Sequence, residues 1–338
     1  MTSILVIQLK RLGDLILTTP ALKGLRQLYP KASITLLIDQ HSRELAPAIA
    51  QVDHVWIYQR RESFQLWVNL IRTGFDLCLD FTGNDRSAVL TFLSKAERRI
   101  GFAFVAKRAI RSWVYTELVS SAVREKHTVD HYIDLIRALG DPGTDLPVSL
   151  TLPESAEPSA KKLREQMGLR DRYCVIHPGT ARPEKYWPAD RWAKVISHLH
   201  RRYKLPCLIT GGKDSGELRH VAEIKAHLPA ELFFSVAGKI DFLMTAAMIQ
   251  RASLFVGVDT AGAHLASAFS VPELVLFGPT NPFHWRPRHK TGAVARAGFD
   301  VPYDHFEPRQ KGSAMTELST EAVIRAMEAV LEVASPRG

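Results

Sequence analysis

Cysteine is scarce: Cys78, Cys174 and Cys207 are the three in 338 residues, far apart and each inside an apolar stretch. No Cys-x-x-Cys pair and no Cys/His ligand spacing occurs, so no disulfide framework or metal site is expected and the thiols should be buried. No apolar run approaches the ~18 uninterrupted residues of a membrane-spanning helix. The opening MTSILVIQLKR puts its charges after the apolar run, the reverse of a secretion signal, so the expected compartment is the cytoplasm. G-x-G-x-x-G, G-x-x-x-x-G-K-[ST] and H-E-x-x-H are all absent, and the first absence counts against a nicotinamide dehydrogenase. Acidic residues are the minority, 35 against 44 Lys and Arg, for a formal net charge of +9. That excess points to nucleic acid, an anionic membrane surface or an anionic substrate, with solvated surface charge as the plain alternative.

What is present is a globular composition, 46% hydrophobic and 23% charged, in a chain long enough for two domains. SILVIQL, ITLLID, HVWIY and DLCLDF are apolar, β-branched runs separated by helical spacings, including Leu15, Leu22, Leu25 and Leu28. Runs apolar on both faces suit parallel strands with helices on each side, built from βαβ units. TLPESAEP, Thr151–Pro158, has no hydrophobic period and reads as a linker. The pattern then restarts with YCVIHPG, LPCLITGG, FFSVAG, LFVGVD and ELVLFGPT, each followed by a helical stretch. The expected organisation is a Rossmann-like domain over residues 1–155, a second over 156–318, and a closing helix over 319–338 that could return to the first.

In such sheets ligands bind beyond the C-terminal ends of strands. The loops there are QLKRLGD, HPGTARPEKYWP, TGGKDSGE, GVDTAGAH and FGPTNP, most of them in the second half, which assigns a nucleotide mainly to that half. GVDTAGAH sets small residues before a helix whose N-terminus favours a diphosphate, with Asp259 and Thr260 as an N-cap pair. Alone it is equally an ordinary capped turn. Thr180 offers a hydroxyl, Lys185 a point charge and Glu217 an acceptor for ribose hydroxyls. Taken singly, each is also a common surface residue. In the first half, Lys10, Arg11 and Asp14 stand at the end of the first strand, while Asp39, lacking a glycine loop, reads as a turn residue.

Three ordered segments, ILVIQLKRLGDLILTTPALKGLRQLYP, HPGTARPEKYWPADRW and LFVGVDTAGAHLASAFSVPELVLFGPTNP, resemble the ADP-heptose:lipopolysaccharide heptosyltransferases, glycosyltransferase family 9. The resemblance implies an α/β fold of GT-B type: two facing Rossmann-like domains with parallel sheets and a deep cleft, acceptor on the first and donor on the second. It implies an inverting, single-displacement transfer of heptose from ADP-L-glycero-D-manno-heptose to the lipopolysaccharide inner core, with Asp14 as general base and no obligatory metal or cofactor. Asp14 is otherwise a helix-capping residue. It further implies donor contacts from Thr180, Lys185, Glu217, Asp259, Thr260, Ala261, Gly262 and His264, the last being otherwise a core histidine.

Two positions depart from the family pattern. Ala261 stands where glycine commonly follows the Asp-Thr pair, a variation also found among third heptosyltransferases of the core; Asn281 stands where Asp is common. Between Arg86 and Lys126 there are nine basic and three acidic residues, including Arg98, Arg99, Lys107, Arg108 and Arg111, with Arg60 and Arg61 earlier. Lys10, Arg11, Arg60, Arg61, Arg98 and Arg99 are therefore the candidate acceptor contacts. Phosphorylated lipid A with acidic core sugars, on the cytoplasmic face of an anionic inner membrane, is the matching partner. No basic stripe interleaved with aromatics suggests nucleic acid. The alternatives are a GT-B transferase using another nucleotide sugar and a non-catalytic nucleotide-binding module at the membrane surface.

Overall fold

The computed structural model describes residues 2–61, 64–107, 109–169 and 172–334. The chain divides into two compact units, Met1–Thr151 and Leu152–Gly338, the division falling inside the TLPESAEP stretch.

Unit 1 runs β1 (Ser3–Gln8), α1 (Leu12–Leu28), β2 (Ser33–Asp39), β3 (His54–Tyr58), α2 (Phe64–Thr73), β4 (Leu77–Asp80), α3 (Asp85–Leu93), β5 (Arg98–Phe102), α4 (Ala109–Ser112), β6 (Glu117–Val119) and α5 (Thr128–Arg137). The strands form one parallel sheet in the order β3-β2-β1-β4-β5-β6. Ile4 to Ile7 are fully buried because β1 is central and covered on both faces. Leu66 and Leu70 of α2 and Leu90 of α3 pack on one face against Leu5, Ile7, Leu37 and Cys78. Pro20 sits inside α1, where it cannot donate to the carbonyl of Ile16. Thr19 Oγ1 donates to that carbonyl instead at 2.8 Å, and the helix continues. Asp39 is a turn residue, its carboxylate accepting from His41 N at 3.1 Å.

Unit 2 runs α6 (Ala156–Gln166), β7 (Cys174–His177), α7 (Ala189–Tyr203), β8 (Cys207–Ile209), α8 (Ser215–Ala226), β9 (Phe234–Ser235), α9 (Phe242–Gln250), β10 (Leu254–Val258), α10 (Ala261–Ala268), β11 (Glu273–Phe277), β12 (Gly292–Arg296) and α11 (Thr320–Ala334). Its parallel sheet has the order β12-β11-β10-β7-β8-β9, which repeats the winding of unit 1 strand for strand. All three cysteines are free and buried, and Cys174 pairs in register with Cys207 on the adjoining strand.

The closing helix packs on the sheet of unit 2. Val323, Ala326, Met327 and Val330 of α11 form an i, i+3, i+4, i+7 stripe buried in the core of unit 2 with Trp192 and Val195 of α7, Leu274 and Leu276 of β11, and Ala295 of β12. The sequence pattern ended the second sheet at ELVLFGPT; β12 supplies a sixth strand, so the helix finds its apolar partner there. Met327→Ala should therefore lower the stability of unit 2 by about 2–5 kcal/mol. A urea unfolding curve probing Trp187 and Trp192 checks this, and an unmoved transition would place the helix elsewhere.

Glu273 opens β11 with no exposure, accepting hydrogen bonds from Ser267 Oγ and, at 2.6 Å, from His289 Nε2. Burial raises its carboxyl above the usual range, against the opposing pull of His289. A raised folded-state value means its stability contribution is whole below the unfolded value and is lost as pH rises through the folded one. Glu273→Gln keeps an oxygen that accepts both bonds and has no charge to bury. The variant's denaturation midpoint, relative to the parent, should climb as pH rises above the usual carboxylate range; parallel profiles would refute the assignment.

Candidate functional site

A doubly wound sheet reverses its strand order at the centre, and the loops leaving its two central strands diverge to open a crevice at their C-terminal ends. In unit 2 these strands are β7 and β10. Lys185, in a 3-10 turn over Pro183–Lys185 after β7, is buried. Its Nζ donates to Asp259 Oδ2 at 2.6 Å and to the Asp259 carbonyl at 3.0 Å. Thr280 Oγ1, after β11, donates to the same carboxylate oxygen at 2.9 Å. Three strand-ending loops are thus tied to one carboxylate. Trp187 seats the Lys185 loop: its ring is fully buried edge-on to Trp192, and its Nε1 donates to Leu318 O at 2.9 Å.

Asp259 and Thr260 do not act as the expected N-cap pair. Asp259 is occupied by Lys185 and Thr280, and Thr260, the N-cap residue, turns its hydroxyl back to Val258 O at 3.3 Å and makes no side-chain cap bond. The first turn of α10 also carries no acidic residue. Its backbone N–H groups are therefore available to an anion. An ammonium has three N–H groups, and Lys185 uses two, leaving one for a ligand oxygen.

Gly262 shows why the neighbouring Ala261 is tolerated. A Cβ at 262 would lie 3.0 Å from the His177 ring, whereas 261 is the half-exposed first residue of α10. His177 Nδ1 pairs with Thr210 Oγ1 at 2.8 Å, and burial lowers its imidazole to about 4, so it is neutral near pH 7. Glu217, in the first turn of α8, accepts from Gly212 N at 2.8 Å. A Cβ on Gly179 would fall 2.3 Å from its Oε2, so the HPG and TGG loops both close around this carboxylate. Burial raises its carboxyl above the usual range. Thr180 is buried beside this group, its Oγ1 accepting from Arg182 N at 3.2 Å. His264 is buried with its ring 6.4 Å from that of Trp285. Asn281 does what an Asp cannot: its Nδ2 donates to Glu307 O at 2.8 Å while its Oδ1 caps Phe283 N.

In unit 1 the central strands are β1 and β4. Arg11 is the exposed N-cap residue of α1, and Asp14 lies half-exposed in that helix's first turn. Tyr132 OH, from α5, donates to Asp14 Oδ1 at 2.6 Å. Lys10 Nζ lies 5.0 Å over the Tyr132 ring and 3.4 Å from its hydroxyl. Burial lowers the Lys10 ammonium, while Asp14 and Asp80 work to raise it. Asp80, fully buried at the end of β4, accepts from Tyr115 OH at 2.6 Å and from the backbone N of Thr82 and Gly83.

The six acceptor candidates separate. Lys10 and Arg11 adjoin Asp14, and the exposed Arg60 and Arg61 follow β3 at the same C-terminal edge. Arg98 and Arg99 open β5, in register with Leu77 and Cys78, and Leu77 pairs with Ile4 near the start of β1. About six residues of strand, ~20 Å, separate that edge from Lys10. Arg98 is moreover held by the Glu117 carboxylate at 2.8 and 3.0 Å, and Arg99 by the carbonyls of Val114 and Ala96 at 2.6 Å. Both serve the sheet's far edge, away from Lys10 and Arg11, with which they were grouped as candidate acceptor contacts. Arg108 and the side chain of Lys107 lie outside the described residues.

Sequence pattern missed Tyr132, His177 and Thr280. His177 and Thr280 stood in loops already singled out, and Tyr132 in VDHYIDLI, whose apolar positions recur at helical spacing.

A family model described as Glycosyltransferase family 9 (heptosyltransferase) matches residues 63–302. The chain is 28% identical over 339 residues to Lipopolysaccharide heptosyltransferase 3 of Escherichia coli (strain K12), covering 96% of each. It is 30% identical over 329 residues to Lipopolysaccharide heptosyltransferase 1 of Pseudomonas aeruginosa, covering 88% of this chain and 84% of that one. The solved structure of E. coli ADP-heptose LPS heptosyltransferase II superposes with a TM-score of 0.81 at 20% identity, covering 98% of this chain and 99% of the other. The two parallel six-stranded sheets are those of a GT-B type α/β fold, and the chain belongs to glycosyltransferase family 9, the heptosyltransferases.

Proposed function

We propose that the chain transfers heptose from ADP-L-glycero-D-manno-heptose to the inner core of lipopolysaccharide with inversion, working on a lipid-linked acceptor at the cytoplasmic face of an anionic inner membrane. The observation that carries this proposal is the Lys185–Asp259–Thr280 cluster beside the uncapped N-terminus of α10, at the switch point of unit 2. A sugar nucleotide's diphosphate suits it: helix amides and one Lys185 N–H meet the phosphate oxygens. Glu217, seated where the HPG and TGG loops meet, suits ribose hydroxyls. The relatives' printed names supply the sugar and the acceptor class.

In the proposed step an acceptor hydroxyl oxygen attacks the anomeric carbon as the bond to the diphosphate oxygen breaks. Its proton passes to Asp14, and ADP leaves with the electron pair. Lys185 and the α10 amides stabilise the charge that gathers on the departing diphosphate. The hydrogen bond from Tyr132 fixes one Asp14 oxygen and leaves the other to accept the proton.

Asp14→Asn should lower kcat for transfer to a panel of truncated core acceptors by about 10²–10⁴-fold, with KM for ADP-heptose within about twofold of the parent. Undiminished turnover would remove Asp14 as the base. On the donor side, Glu217→Ala should weaken ADP about tenfold or more by calorimetry, through loss of a carboxylate hydrogen bond. Unchanged ADP affinity, or saturable binding of UDP- or GDP-hexoses in place of ADP-heptose, would overturn the donor assignment.

A further inference from the structure

On one face of the unit 1 sheet, α2 and α3 lie packed against each other, with Leu66, Leu70 and Leu90 turned to the core. The outer side of α2 is also apolar: Phe64 is 76% exposed, Trp67 43% and Ile71 39%. At about 100° per residue these three fall within about 60° of one another, turned about 110° from Leu66 and Leu70. Adjoining α3 adds Val89 at 52% and Phe92 at 58%, three residues apart. Single exposed apolar residues need no explanation, but five large ones on two packed helices make a surface. Around them stand Arg60 and Arg61 before α2, Arg72 in its last turn and Arg86 on α3. All four are exposed and have no ion pair among the described residues.

We infer that this face docks unit 1 onto an anionic phospholipid bilayer. The inference rests on the lipid-linked acceptor proposed above and names the surface that meets the lipid. Phe64, Trp67 and Phe92 have the chemistry of side chains that enter the boundary between headgroups and acyl chains, and the arginines that of a rim meeting anionic headgroups. No helix among the described residues is long and apolar enough to cross a membrane, so the contact is interfacial. A second copy of the chain is a poorer occupant, because a self-complementary contact here would bring Arg72 and Arg86 towards their own copies. The orientation suits the acceptor too. Phe64 follows β3 at the same C-terminal sheet edge as Lys10 and Asp14, so the end of the face that carries Phe64 brings that edge close to the lipid surface.

The test uses the full chain in vesicle sedimentation, with phosphatidylcholine alone and with about one third phosphatidylglycerol added. The parent should sediment with the anionic vesicles and be released by salt. The triple variant Phe64→Ser, Trp67→Ser, Phe92→Ser should bind at least about tenfold more weakly, with its melting profile retained. The pair Arg72→Gln, Arg86→Gln should lose roughly fivefold per charge on anionic vesicles only. Val301→Ser, exposed in unit 2, should change nothing. Transfer to a soluble, truncated acceptor should be the same for the triple variant and the parent. Equal sedimentation of triple variant and parent would overturn the docking face. So would a parent dimer in sedimentation velocity that the triple variant dissolves, since the occupant would then be a second copy. Absence of transfer by the parent would instead overturn the enzymatic proposal, with the vesicle comparison still deciding the face.

Discussion

The buried ion pair between Lys185 and Asp259 is the interaction on which the candidate site of unit 2 depends. Lys185 belongs to the loop after β7 and Asp259 to the loop after β10, the two strands between which the sheet reverses direction. Removing one member of such a pair leaves a buried charge unmatched and typically costs about 3–5 kcal/mol. Thr280 brings a third loop to the same carboxylate. Because Asp259 is spent on this work, it is not available to cap α10, and the helix N-terminus stays open. A constraint that looks purely structural therefore leaves the first turn of α10 without a side-chain cap.

Much of this was legible in the sequence. Lys185, Glu217 and Asp259 stand just after apolar runs, and a parallel sheet places every such loop on one edge. What sequence pattern cannot show is which side chains meet across that edge. The capping pair expected of Asp259 and Thr260 followed a sound local rule, yet the tertiary partner Lys185 outcompeted the local amides. The missed strands have a different cause. RRIGF, ELV and GAVAR are short, and glycine, alanine or charge interrupts their apolar character. β6 and β12 are edge strands of their sheets and β5 lies next to that edge, away from the fully buried centre, where the demand for continuous hydrophobicity is weaker.

That omission also explains the misplaced arginines. Read as a basic cluster, Arg98 and Arg99 belonged with Lys10; read as the first two residues of a parallel strand, they belong at the opposite edge, in the hydrogen bonds of Glu117, Val114 and Ala96. Charge density along a sequence reports a partner's sign, not the face that meets it. A strand of five residues is enough to move a side chain across the sheet.

Both units share one winding, but their central loops differ in sign. In unit 1 the helix after β1 has Asp14 in its first turn; in unit 2 the helix after β10 has no acid there and no side-chain cap. A helix N-terminus carries roughly half a positive charge. Asp14 places a carboxylate of the chain's own in that field. Before Ala261 the same field meets neither a side-chain cap nor an acid in the first turn. The same backbone dipole thus meets a carboxylate of the chain in one unit and no side-chain cap in the other, and a single residue type in the first helical turn sets which.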